Sequence, residues 1–174
     1  MNEPSSNGAW SRGWGPGSRL GLWIIVLTLV VDQANKWWMI NVYDIASRGR
    51  VSVLPFLDLV FVINKGVSYG LLDNAGPWLL TGFAVVVSLV LWVWLAHKET
   101  GPILAVSLGF IIGGALANAI DRLHLGGVAD FYSLHAFGFY WYVFNIADAA
   151  IVAGVVGLLY DSFCTSRNDA SKVA

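Results

Sequence analysis

The run from Gly76 to His97, GPWLLTGFAVVVSLVLWVWLAH, carries no Asp, Glu, Lys or Arg. About 20 apolar residues in a helix cross the hydrocarbon of a bilayer, and no soluble fold of modest size hides so long a uniform stretch. A second run, PILAVSLGFIIGGALANAI from Pro102 to Ile120, follows after the short turn HKETG. A third, LGLWIIVLTLVV from Leu20 to Val31, lies behind Arg12 and Arg19. It has the flanks of a secretory leader, but DQANKWWM after it offers no small-x-small cleavage site, so it reads as an uncleaved span. The last run starts near Phe139 and contains Asp148. The expectation is an α-helical integral membrane protein with four transmembrane helices, over about 19–40, 76–97, 102–121 and 139–161.

Composition agrees. The chain is 57% hydrophobic and 12% charged, about half the charged share of a soluble domain. A net charge of −1 argues against nucleic acid as a partner. The nine Trp suit interfacial belts. Cys164, the one cysteine, reads as a small apolar residue at a helix end. Residues 1–18, rich in Gly, Ser and Pro, read as a disordered cytoplasmic tail, and 164–174 as a second cytoplasmic tail. Four spans place both termini on one side. That side holds Arg12, Arg19, Lys98, Arg167 and Lys172, against Arg48, Arg50, Lys65 and Arg122 opposite. The bias is small, and grows if Lys65 and Arg122 serve a site; it puts the termini in the cytoplasm. Outward then lie a strand-and-turn element over about 43–74, broken by Pro55, Gly66 and Gly70, and a shorter loop, Asp121 to Gly138, carrying Asp130. No internal repeat of the transporter kind is visible.

The polar residues of the spans gather near their outer ends. Asp32 and Lys36 stand i, i+4 on one helix face, a spacing that suits an internal ion pair. Asn118, Asp121 and Arg122 crowd the end of the third span, where Arg122 can snorkel and Asn118 needs a hydrogen-bonding partner. Asn145 and Asp148 are i, i+3 on the fourth. A helix starting near Tyr140 puts Asp148 about 12 Å along it. An aspartate there costs about 2.5–3.5 kcal/mol, which marks it as functional. The loop before this helix is long enough to bring Asp130 over Asp148. Alone, Asp130 reads as an exposed loop carboxylate.

Two carboxylates converging in a partly dry place titrate with separated apparent pKa values. One can activate water while the other protonates a carbonyl oxygen or a leaving amine. That is aspartic peptidase chemistry and requires no metal or other cofactor. His97, His124 and His135 are scattered without ligand spacing, and no Ser or Cys has an evident His partner.

The blocks DQANK (Asp32–Lys36), NKGVSYG (Asn64–Gly70), GGALANAIDR (Gly113–Arg122), VADF (Val128–Phe131) and FNIAD (Phe144–Asp148) occur in that order. Together they closely resemble the signal peptidase II family of bacterial inner membranes, from about Leu20 to Tyr160. The resemblance implies an aspartic endopeptidase that cleaves prolipoproteins just before a diacylglyceryl-modified cysteine, at the outer face of the inner membrane. It implies Asp130 and Asp148 as the catalytic pair. Asn64, Asn118, Arg122 and Asn145 match positions that bind substrate or shape the site, and Asp32, Lys36, Gly66 and Asp121 match supporting ones. It also implies four spans with a small periplasmic β element, sensitivity to globomycin, and a prolipoprotein and membrane lipid as partners; a monomer suffices. Ala117, Val67, Tyr69 and Ala149 stand where Gly, Ala, Phe and Ser are usual, differences that bear on packing and pocket shape rather than on the reaction.

Three other readings compete. A small ion-coupled transporter with a carboxylate relay explains buried aspartates but not a second one on an outer loop. A presenilin-type protease carries GxGD in a span, and none occurs here. A structural subunit glued by polar residues predicts that losing either aspartate costs folding rather than turnover.

Overall fold

The computed structural model describes residues 16–66, 76–97 and 100–173, with side chains as far as Cys164 at the C-terminal end. The tail expected over 1–18 lies outside the described residues except for its last three, which are already helical; residues 67–75 of the outer element also lie outside.

Among the described residues, four helices are long and apolar enough to cross a membrane. They are α1 (Pro16–Asn41), α3 (Gly76–His97), α4 (Pro102–Leu125) and α5 (Ile146–Val173). A short α2 (Ile45–Arg48) follows α1. Four strands, β1 (Val51–Leu54), β2 (Leu57–Asn64), β3 (Val128–Ala136) and β4 (Phe139–Phe144), form one antiparallel sheet in the order β1-β2-β3-β4. Helix α4 packs against α1, α3 and α5 and is the central and most buried span. Pro102 opens it, and Gly126 ends it with a left-handed φ of 70° and an N–H donated to the Arg122 carbonyl at 3.2 Å.

The sheet covers one end of the bundle. The C-termini of α1 and α4 lead into it, and β4 leads out of it into α5. Its inner face packs Phe131 and Ala129 against Met39 and Ile45, with Phe61 stacked on Phe131. At the far end of the bundle Leu95, Ala105 and Leu108 are fully buried. Close approach of α4 and α5 depends on small residues. A Cβ on Gly114 would stand 2.5 Å from the Ala147 carbonyl oxygen.

The structure corrects several expected boundaries. The segment from Asp121 to Gly138 is not a loop: α4 continues to Leu125, and Val128–Ala136 is a central strand. Of the four strands described, β1 and β2 come from the expected outer element and β3 and β4 from beyond it. Phe139–Phe144 is not the head of the last span but strand β4, so α5 starts at Ile146 rather than near 139. Aromatic and β-branched residues on a two-faced strand resemble a membrane helix in composition, and only the period separates them. Beyond the apolar span, which ends at Cys164, α5 continues as far as Val173.

Candidate active site

Asp148 is the third residue of α5, about 3 Å along its axis instead of the expected 12 Å. The motif FNIAD is therefore a helix start. Asn145 is the N-cap: its Oδ1 accepts the Asp148 N–H at 2.9 Å, while Asp148 Oδ2 accepts the Asn145 N–H at 3.3 Å. This reciprocal capping box satisfies two otherwise orphaned donors and puts a carboxylate at the positive end of the helix dipole.

Asp130 reaches the same place from β3. It lies opposite Val62, and Asn64, two residues on, shares its face of the sheet. Asn64 Nδ2 donates to Asp130 Oδ2 at 3.1 Å, and Asn145 Nδ2 donates to Asp130 Oδ1 at 2.7 Å. Asn145 Nδ2 also donates to Asn118 Oδ1 at 3.1 Å, and Asn118 Nδ2 donates to Asp148 Oδ1 at 2.8 Å. Both carboxylates thus hang on one buried amide pair. Asp130 is 1% exposed, whereas Asp148 is partly open. Burial is the largest influence on the Asp130 carboxyl and pushes it up to about 6; the amides of Asn64 and Asn145 hold it lower, and the charge of Asp148 raises it again.

Beneath the pair, Lys36 Nζ stands 2.7 Å from Asp32 Oδ2 and 2.7 Å from Asp121 Oδ2, all three side chains being buried. Each of these carboxylates also holds a main-chain N–H. Asp32 Oδ1 accepts from Ala147 at 2.9 Å, and Asp121 Oδ2 accepts from Ala129 at 3.1 Å. Those residues immediately precede Asp148 and Asp130. One ammonium therefore ties down the backbone on which both candidate acids stand. Lys36 Nζ also donates to Asn118 Oδ1 at 3.4 Å.

Arg122 Nη1 donates to the Asn118 carbonyl at 3.1 Å, and its Nε is buried with no hydrogen-bond partner among the described residues. Gly66 closes this side. Its φ is 75°, its N–H donates to Asn64 Oδ1 at 2.9 Å, and a Cβ there would stand 2.5 Å from Leu80 Cδ1 and 3.7 Å from Arg122 Nη2. Asp32, Lys36, Asn64, Gly66, Asn118, Asp121, Arg122, Asp130, Asn145 and Asp148 form one connected cluster.

Sequence reasoning passed over Gln33, whose Nε2 donates to Asp121 Oδ1 at 2.9 Å and stands 3.3 Å from Asp32 Oδ2. Its place inside DQANK, one residue from Asp32, was the available signal. A second polar cluster also went unread. Asp58 is buried and bound by Arg50 and Ser52 at 2.7 Å each, with His135 Nε2 at 3.3 Å. The Arg50 hydrogen bond, then that of Ser52, keeps the Asp58 carboxyl below the usual carboxylate range.

A pair of carboxylates linked through amides, one deeply buried and one open at a helix N-terminus, can activate water and deliver a proton across a short gap. Comparison with known proteins points the same way. The family model described as signal peptidase (SPase) II matches residues 24–164. The lipoprotein signal peptidase of Methylocella silvestris is 49% identical over 153 residues, 85% of this chain and 88% of the relative. That of Beijerinckia indica is 49% identical over 81% of this chain and 86% of its own. That of Rhodopseudomonas palustris is 48% identical over 83% and 92%. Two solved bacterial membrane enzymes, determined by the in meso method, are each 25% identical, with TM-scores of 0.74 and 0.73. They cover 90% and 86% of this chain and 94% and 95% of their own.

Proposed function

The chain belongs to the signal peptidase II family, and on that premise we propose that Asp130 and Asp148 are the pair that performs its hydrolysis. The protein is an aspartic peptidase of the membrane that removes signal peptides from prolipoproteins. The observation that carries the assignment is Asn145: its amide holds Asp130, and its main chain and side chain cap the turn that bears Asp148. The transporter alternative has no support among the relatives.

In this reading one carboxylate takes a proton from water as the water attacks the scissile carbonyl. The other gives its proton to the carbonyl oxygen, and collapse of the tetrahedral intermediate returns a proton to the leaving amine. Asn118 and Asn145 keep both carboxylates in register, and Asn64 tunes Asp130 from the sheet. The Arg122 guanidinium, whose Nε has no partner among the described residues, donates to a substrate carbonyl or a headgroup oxygen. Asp32, Lys36, Asp121 and Gly66 support these groups without touching the reacting atoms.

The substrate of this reading is a prolipoprotein cut before a diacylglyceryl-cysteine. Each buried CH₂ of such an anchor contributes about 0.8 kcal/mol, so the bond to be cut stays near the interface. Carboxylates at the sheet end of the bundle meet it at that level. The sheet then faces the periplasm, both termini the cytoplasm of a bacterial inner membrane, and a monomer with no metal is the working unit. Globomycin inhibition belongs to the same reading.

The test is cleavage by the purified, detergent-solubilised protein of a precursor with and without the lipid. Wild type cuts only the lipidated form. Asp130→Asn and Asp148→Asn, checked for folding by thermal melting, lose activity at least ~10³-fold. Retained turnover in either folded variant defeats the assignment.

A further inference from the structure

The hairpin formed by β3 and β4 is exposed where a soluble protein would cover it. Phe137 is 102% exposed, Phe139 79%, Trp141 72% and Tyr142 89%. Alternation puts Phe139 and Trp141 on one face and Tyr140 and Tyr142 on the other, where the Tyr140 ring lies against His135 and Arg50. From Ala136 to Ala147 the chain carries no charged residue. Ala136 pairs with Phe139, which leaves a two-residue turn, Phe137–Gly138, with φ of 52° and 83°. The first position of such a turn favours Asn, Asp or Gly, and a bulky side chain is strained there. The tip is kept aromatic against local preference.

We propose that this hairpin is seated in the interfacial layer of the lipid bilayer, between headgroups and acyl chains, on the side where the sheet lies. Three observations select lipid as the occupant. β4 passes into the membrane-spanning α5 through Asn145 alone, so it stands at the edge of the bilayer by connection. The same end of the bundle presents Trp37 and Trp38 near the end of α1 and Trp78 at the start of α3, exposed by 62%, 45% and 71%. Trp141 completes an aromatic belt of the kind that marks a membrane–water boundary. Finally, β4 is an edge strand, so among the described residues its outer N–H and C=O groups have no sheet partners. They require water or headgroup oxygens, which places the strand above the hydrocarbon rather than within it. Phe139 and Trp141 point toward the acyl chains, and the hydroxyls of Tyr140 and Tyr142 stay among the headgroups.

The test uses the full chain with Cys164→Ser, which removes the one native cysteine. A single cysteine is then introduced as Phe139→Cys or Trp141→Cys and labelled with an environment-sensitive fluorophore. Each protein is placed in nanodiscs of phosphatidylethanolamine and phosphatidylglycerol containing lipids spin-labelled at the headgroup, at acyl carbon 5 or at carbon 12. The expected result at both positions is blue-shifted emission, with quenching by the headgroup and carbon-5 labels several-fold stronger than by carbon 12. Either of two results overturns the proposal. One is the emission of a hydrated label without lipid quenching, which would leave the patch to a protein partner. The other is strongest quenching from carbon 12, which would bury the edge strand in hydrocarbon. Using two exposed positions keeps the test decisive if one variant fails to fold, and neither readout depends on peptidase activity.

Discussion

In the proposed mechanism Asn64 acts on the reaction without being an acid or a base. Its amide donates to Asp130 and favours the charged carboxylate, so its removal raises the Asp130 pKa further above about 6. A pair that needs one proton loses activity as pH rises through the titration of its more basic member. The alkaline limb of kcat/KM is therefore expected at or above about 6 in the wild type. In Asn64→Ala it moves to higher pH, and a full pH–rate profile of both proteins checks the direction. Arg122 is tested by the same assay. Loss of one charge-assisted hydrogen bond, worth about 1.5–3 kcal/mol, predicts a roughly 10- to 100-fold lower kcat/KM for Arg122→Ala on lipidated substrate. Unchanged kinetics would remove Arg122 from the site. Both candidate acids were legible in the chain because VADF and FNIAD bracket them. The role of Asn145 as a helix cap was legible too, since Asn followed three residues later by Asp is a helix-start signature. That signature was outweighed by the apolar run around it, which produced the misplaced helix start and the excess depth for Asp148.

Lys36 joins α1 to α4 directly, and through Asp32 and Asp121 it joins both to the first turn of α5 and to β3. Lys36→Met leaves two buried carboxylates facing each other without a cation, which predicts a loss of about 3–5 kcal/mol. Adding Asp32→Asn and Asp121→Asn removes that charge while keeping oxygens for the two main-chain donors. The triple variant is thus expected to recover most of the stability lost by Lys36→Met, as read by melting temperature. Helix contact is equally exacting at Gly114, where an added methyl meets a backbone oxygen and not a yielding side chain. Gly114→Ala is expected to push the Asp148 turn away from Asn118 and cut turnover more than it lowers the melting temperature. The spans themselves were readable from uniform apolar runs. The sheet was only half readable, because β3 is covered on both faces over its first four residues and shows no alternation there, while β4 is aromatic on both faces. Pairing of β2 with β3 joins Asn64 to Asp130 across 66 positions of chain, a relation no local pattern contains.

Folding links the site to pH in a way that can be measured on the intact protein. Asp130 is more basic in the folded chain than its ordinary 3.8. The stability it contributes is present in full below that value and is lost as pH rises through about 6. The melting temperature of the wild type relative to Asp130→Asn is therefore expected to fall between pH 4 and pH 7. A constant difference would contradict the shift. Asp58 has the opposite sign: its stabilisation is present above the ordinary carboxylate pKa and is lost in stronger acid. The order of the elements has a further consequence. α1 supplies Asp32 and Lys36, β2 supplies Asn64, α4 supplies Asn118, Asp121 and Arg122, β3 supplies Asp130, and Asn145 and Asp148 arrive last with the start of α5. A ribosome making this chain delivers the second carboxylate only after three spans have been synthesised. On the proposed assignment of Asp130 and Asp148, the nascent protein is therefore inert until the start of α5 is in place. Its own leader-like first helix lies beside an unfinished catalyst throughout insertion, and by the time the catalyst is complete that helix is already one of its walls.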